Sequence, residues 1–150
     1  MRIMVINGPS VNMLGVREPE IYGKKTFADM LALIVKTAQE EDLDLQQFQS
    51  NHEGAIVDKI HECYYGVDAI IINAAAYSHT SLAILDALKA VGKPAVEVHI
   101  SDFTKRESFR QFSYCSLYCE KSIMGQGIDG YRQAILYLKE KYGDKFKRRW

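Results

Sequence analysis

The sequence predicts an α/β fold, an open doubly wound sheet of five parallel strands with helices on both faces. Three observations carry that expectation. Short β-branched apolar runs alternate with longer amphipathic stretches along the whole chain, the pattern that gives a parallel sheet covered by helices. The length, 150 residues, suits one domain with a core large enough to be stable. The composition, 47% hydrophobic and 25% charged, is that of an ordinary globular protein without a long disordered tract.

Strands are predicted at Arg2–Asn7 (RIMVIN), Asp44–Ser50 (DLQQFQS), Ala69–Asn73 (AIIIN), Ala95–Ile100 (AVEVHI) and Lys121–Met124 (KSIM). The first helix is the clearest. Thr26 can cap its start with Asp29 three residues on, and Phe27, Met30, Leu31, Ile34, Val35 and Ala38 form one apolar stripe. Further helices are predicted over Gly54–Tyr64, Ser81–Val91 and Gly130–Tyr142. Five parallel strands with intervening helices make a sheet of the flavodoxin-like kind. One domain is expected over residues 1–150, ending in a short basic tail, KEKYGDKFKRRW, with a solvated role.

Charge and cysteine usage exclude several classes. Nineteen basic residues balance nineteen acidic ones, so the chain lacks the overall electrostatic footprint of a nucleic-acid or membrane-surface binder. No stretch approaches transmembrane length, and the apolar N-terminus MRIMVING is too short for a signal peptide. Cys63, Cys115 and Cys119 are odd in number and lack CxxC spacing, which suggests neither a disulfide framework nor a structural zinc site. They read as small hydrophobes. Cytoplasmic residence follows as the default.

In a sheet of this kind ligands bind outside the carboxyl ends of the strands. After the first strand comes NGPSVNMLGVREPEIYG, a long connection carrying Arg17 and Tyr22. Loops of this length in a compact domain are usually functional or disordered. After the third strand comes Asn73-Ala-Ala-Ala-Tyr-Ser-His79, and the fourth gives Glu97-Val-His99-Ile-Ser101, followed by Arg106 and Arg110. Gathered at one sheet edge, these residues form an anionic-substrate site with acid–base groups. Arginine holds a carboxylate by bidentate contact, and histidine carries protons near neutral pH.

Bland readings stand beside these. His99 and Glu97 share one strand face, and such a pair taken alone is more often structural. His52 and His61 belong to a solvated or partly buried helix face. A metal site built on His79, His99 and Glu97 has no characteristic ligand spacing, and nearby arginines repel a cation. Gly8 and Gly15 spell neither GxGxxG nor a P-loop.

The segments NGPSVNMLGVREPEIYG, INAAAYSHTS, EVHISDFTKRESFRQFSY and IMGQGIDGY resemble, in order and spacing, the successive motifs of type II dehydroquinases. The resemblance covers nearly the whole chain apart from the basic tail. It implies a flavodoxin-like domain that assembles into a dodecamer of trimers and, without metal or organic cofactor, eliminates water from 3-dehydroquinate to give 3-dehydroshikimate. Tyr22 then corresponds to the base, with Arg17 beside it, and His99 to the general acid supported by Glu97. Asn73, Ile100 and Ser101 match positions that bind the substrate carboxylate, while His79 and Arg110 match groups that bind ring hydroxyls. Arg106 matches a second arginine near the tyrosine, Ser10 and Asn12 lie in supporting positions, and Asp86 matches a residue that reaches a neighbouring subunit's site.

The residue types suit the chemistry. The proton removed lies α to a ketone, and an ordinary tyrosine, with a pKa of about 10, is seldom ionised at neutral pH. Cationic neighbours supply what is missing. A loop carrying the arginine and tyrosine suggests a lid that excludes water.

Two departures from the family pattern touch the pocket. Ser10 stands where the family usually has asparagine, in a position linked to enolate stabilisation, and Ala75 stands where a glycine is common. The alanine methyl would crowd the site or shift the backbone if φ there is positive. Two other readings follow: an enzyme of this fold acting on a related cyclic hydroxy acid, and a catalytically silent metabolite-binding paralogue. The presence of Arg17, Tyr22 and His99 weighs against the second.

Overall fold

The computed structural model describes residues 1–147. Five strands, β1 (Arg2–Asn7), β2 (Asp44–Gln49), β3 (Ala69–Asn73), β4 (Ala95–His99) and β5 (Lys121–Met124), form one sheet in the order β2-β1-β3-β4-β5. Every pairing is parallel. The helices are α1 (Pro19–Tyr22), α2 (Phe27–Glu40), α3 (Glu53–Glu62), α4 (Leu82–Val91) and α5 (Asp129–Tyr142), with short 3-10 turns in the connections.

The period of two along the strands builds two cores. Ile3 and Val5 of β1, Ala69 and Ile71 of β3, and Val96 and Val98 of β4 face α2 and α5. Met4, Ile6, Ile70, Ile72 and Ala95 face α3 and α4. Strands covered on both faces read as continuous apolar runs, which is why RIMVIN and AIIIN are legible. β2 is different. As an edge strand it needs little burial, and its Asp44 accepts a hydrogen bond from Arg2 Nε at 2.6 Å.

All five predicted strands and four predicted helices form, with boundaries displaced by a residue or two. Thr26 caps α2 as anticipated: its hydroxyl accepts from the Asp29 N–H at 3.1 Å while the Asp29 carboxylate accepts from the Thr26 N–H at 2.8 Å. The predicted apolar stripe needs one correction. Val35 is 47% exposed, and Thr37 is buried instead, its hydroxyl satisfied by the Leu33 carbonyl at 2.8 Å. A β-branched threonine that hydrogen-bonds back into its own helix fills an apolar position, which a purely hydrophobic count overlooks. His52 and His61 are exposed, and all three cysteines are free and buried. Of the predicted tail, Lys139–Tyr142 belong to α5, and residues 148–150 lie outside the described residues.

The strand order reverses beside β1, which leads first to β2 on one side and later to β3 on the other. Such a switch point opens a crevice at the carboxyl edge. Gly8, directly after β1, packs against the turn that follows β3. Its N–H donates to the Asn73 carbonyl at 2.7 Å, and a Cβ there would meet the Ala74 carbonyl oxygen at 2.4 Å, so only glycine permits this approach. The connections after β1, β3 and β4 converge above it.

Candidate active site

A cleft open to solvent lies at this edge. Its walls include Ser10, Arg17, Tyr22, Asn73, Ala75, His79, His99, Ile100, Ser101, Arg106 and Arg110. The sheet topology thus brings together residues that stand up to a hundred positions apart. Val11, Leu14, Ala76 and Phe103 complete the lining. Sequence reasoning passed these over because isolated apolar residues in loops carry no pattern.

Three predicted residues stand elsewhere. Glu97 is completely buried behind His99. Asn12 is exposed and accepts a hydrogen bond from Gln49 Nε2 at 3.3 Å instead of lining the cleft. Asp86 is exposed on α4, outside its own chain's cleft.

Tyr22 ends α1, a single turn that Pro19 starts at a position where its missing N–H does no harm. Two guanidinium groups face the phenol. Arg106 Nη1 donates to Tyr22 Oη at 2.9 Å, with its Cζ 5.4 Å from the ring centroid, and Arg17 Cζ lies 4.6 Å from that centroid. Two positive charges thus stand against the phenol, one on its hydroxyl and one over its ring. The hydrogen bond to Tyr22, followed by the nearby Glu107 and Glu18 carboxylates, holds the Arg106 guanidinium above its ordinary value despite partial burial.

His99 and Glu97 form the second group. His99 Nε2 lies 3.1 Å from Glu97 Oε1, a close contact poorly aligned for a hydrogen bond, so that ring nitrogen has no well-directed partner. Ser122 donates to Glu97 Oε1 at 3.0 Å, and Ser113 donates to Oε2. Burial pushes the Glu97 carboxyl up, but the contacts with His99, Ser113 and Ser122 outweigh it and leave the group below its usual range. The serines were not anticipated. Ser122 is paired with Glu97 across β4 and β5, a register that only the folded sheet reveals.

His79 stands beside them, its ring centroid 6.5 Å from that of His99, with Phe103 packed edge-on against both. His79 Nδ1 lies 2.7 Å from the Phe112 carbonyl. A carbonyl only accepts, so Nδ1 carries the proton. Burial, with help from His99 and Arg110, holds the His79 imidazole below its ordinary value against that hydrogen bond, which favours the neutral ring with Nε2 as an acceptor.

Both departures from the family pattern occupy left-handed backbone, with φ of 65° at Ser10 and 51° at Ala75. Ser10 is anchored by its N–H to Asn51 Oδ1 at 3.0 Å, and Ala75 by its N–H to Asn73 Oδ1 at 3.1 Å. No group of three or more histidine, cysteine, aspartate or glutamate side chains is arranged to hold a metal ion among the described residues.

The model of the family "Dehydroquinase class II" matches residues 1–139. The chain belongs to the class II dehydroquinase family. A 3-dehydroquinate dehydratase of Cereibacter sphaeroides is 52% identical over 133 residues, covering 89% of this chain and 90% of the relative. One from Caldicellulosiruptor bescii is 51% identical over 140 residues, covering 93% and 97%. The crystal structure of the type II dehydroquinase from Butyrivibrio crossotus superposes with a TM-score of 0.91 at 45% identity, covering 93% of this chain and 97% of that one. The chain therefore has both the sequence and the fold of the family.

Proposed function

We infer that this chain removes water from 3-dehydroquinate to give 3-dehydroshikimate, acting as a hydro-lyase. The observation that carries the reading is a phenol flanked by two guanidinium groups, set in one cleft with a histidine backed by a buried carboxylate. That pairing supplies a base and an acid without further components.

In the proposed sequence Tyr22, acting as its phenolate beside Arg17 and Arg106, takes the proton α to the ketone. The C–H electron pair enters the carbonyl and makes an enolate. His99 then gives a proton to the C1 hydroxyl as the enolate collapses, the C–O bond breaks, and water leaves. Hydroxide is a poor leaving group without that proton. Asn73, Ser101 and the backbone at Ile100 bind the substrate carboxylate, and Arg110 and the Nε2 of His79 bind ring hydroxyls. Glu97 steadies His99, with Ser113 and Ser122 beneath it. Ser10 occupies the position next to the developing enolate.

The finer context belongs to the same proposal. We read residues 1–150 as one domain that acts as a homo-oligomer, a dodecamer of trimers in which Asp86 reaches a neighbour's cleft. Aromatic biosynthesis and quinate breakdown both use this reaction. A cytoplasmic location agrees with three free buried cysteines, and no helix among the described residues is long and apolar enough to cross a membrane.

The test follows ultraviolet absorbance as 3-dehydroquinate becomes a conjugated enone. Absorbance should rise with the wild type, and Tyr22→Phe and Arg17→Ala should each abolish most of the rise while folding stays intact. A flat trace with the wild type would sink the reaction, and near-normal turnover in Tyr22→Phe would sink the assignment of the base.

A further inference from the structure

Tyr131 is the largest completely buried side chain, and its hydroxyl ends beneath the cleft floor. It lies in the first turn of α5, within the core formed by β1, β3 and β4. Two strand-end asparagines meet that hydroxyl. Asn7 and Asn73 are register partners across β1 and β3, at the point where the strand order reverses. Asn73 Nδ2 donates to Tyr131 Oη at 2.9 Å, and Tyr131 Oη donates to Asn7 Oδ1 at 2.5 Å. Asn7 is 0% exposed and Asn73 4%.

Counting protons fixes the direction of this chain. The Ala75 N–H can only donate, and it meets Asn73 Oδ1 at 3.1 Å, so the oxygen of the Asn73 carboxamide must face residue 75. Its Nδ2 then faces Tyr131, whose oxygen must accept. The phenol has a single proton, which is left for Asn7 Oδ1. Burial pushes the Tyr131 phenol above its ordinary range, so that proton stays on the ring oxygen. Were the Asn73 amide reversed, the Ala75 N–H and a carboxamide nitrogen would face each other as two donors.

We propose that Tyr131 is a positioning residue for substrate binding, its hydroxyl holding the Asn73 carboxamide in one orientation so that the second Nδ2 proton remains for a ligand oxygen in the cleft. The carboxamide can make about four hydrogen bonds, and two are committed to Tyr131 and Ala75. What remains is one N–H and one lone pair. The same anchor holds the left-handed backbone at Ala75, which forms part of the cleft wall. The proposal rests on Asn73 binding the substrate, as inferred above. Nothing in the apolar pattern of α5 calls for a tyrosine rather than a phenylalanine here; the hydroxyl has its use in this chain of donors.

The test compares wild type, Asn73→Ala, Tyr131→Phe and Asn7→Leu in steady-state kinetics with 3-dehydroquinate, beside thermal unfolding. Tyr131→Phe keeps the ring and its packing. It should raise KM about five- to tenfold, the scale of one misdirected hydrogen bond, with kcat changing less. Asn7→Leu removes the acceptor at the far end, frees the phenol proton to turn toward Asn73, and should raise KM in the same direction. A lowered melting temperature in Tyr131→Phe with KM unchanged would overturn the proposal, because a merely structural hydroxyl predicts that result. An unchanged KM in Asn73→Ala would instead remove the substrate contact on which the proposal stands. A raised KM there beside an unaffected Tyr131→Phe would reject the positioning role alone. A readout in the wild type needs no variant: nuclear magnetic resonance of the Asn73 side-chain amide should show one proton protected from exchange and one exchanging freely, and two freely exchanging protons would contradict the anchor.

Discussion

Ser10 sits in the cleft wall with φ at 65°, a backbone region that asparagine occupies more readily than serine. Two effects of Ser10→Asn therefore point the same way. The left-handed backbone becomes easier to hold, which should stabilise the fold by about 0.5 kcal/mol. The longer amide also reaches farther toward the developing enolate, so turnover should rise by roughly tenfold or less with KM changing less. Thermal unfolding and parallel kinetics check each effect separately; unchanged or lower turnover would mean that serine is adapted to this pocket. Glu97 carries a pH prediction. Its carboxyl lies below the usual range in the fold, so it stabilises the protein above the unfolded-state value of about 4.3, and that contribution is lost as pH falls through the lowered folded value. Melting temperatures measured from pH 7 down to pH 3 should fall less steeply in Glu97→Gln than in the wild type. Equal slopes would show that Glu97 is not held ionised by its partners.

Among the elements, α2 links the fold to the cleft, because its capped N-terminus takes over from the loop that carries Arg17 and Tyr22. Thr26→Ala removes the hydroxyl that accepts from the Asp29 N–H, while the backbone N–H of residue 26 can still donate to the Asp29 carboxylate, and should cost about 1 kcal/mol, about 3 °C in melting temperature for a chain of this size. A loss within measurement error would mean that packing alone holds the helix start. The capping box was legible in the sequence because Thr26 and Asp29 act through their own local backbone. The central strands were legible because burial on both faces requires unbroken apolar runs. Much of the site was legible too, since ligands gather at strand ends and the relevant residues follow β1, β3 and β4 directly. Contacts set by tertiary register were not. Ser113 and Ser122 hold Glu97 from other elements, and Tyr131 reaches two asparagines from α5. Asn12 stood in the right loop, but a 3-10 turn over Val11–Met13 leaves it exposed beside Gln49. The possible positive φ at residue 75 was foreseen from chemistry, whereas that at Ser10 emerged only with the fold.

For the whole molecule, the question is whether one chain completes its own cleft. Asp86 stands four residues after Leu82 on α4, so the two share an exposed face, and Leu82 is 56% exposed. Phe109, Phe112 and Leu117 add further exposed apolar surface at 71%, 50% and 59%. Such side chains become favourable when another surface covers them. Leu85 is 3% exposed and so belongs to its own chain's interior. Any interface formed by this helix therefore draws on Leu82 and Asp86. If Asp86 completes a neighbour's cleft, Asp86→Ala should lower kcat/KM severalfold even though it leaves the residues of its own cleft in place. Light scattering should show a large homo-oligomer for the wild type, and specific activity should fall on dilution to concentrations where that assembly dissociates. A monomer with full activity, unaffected by Asp86→Ala, would show that each chain works alone and that the exposed face of α4 has no part in catalysis.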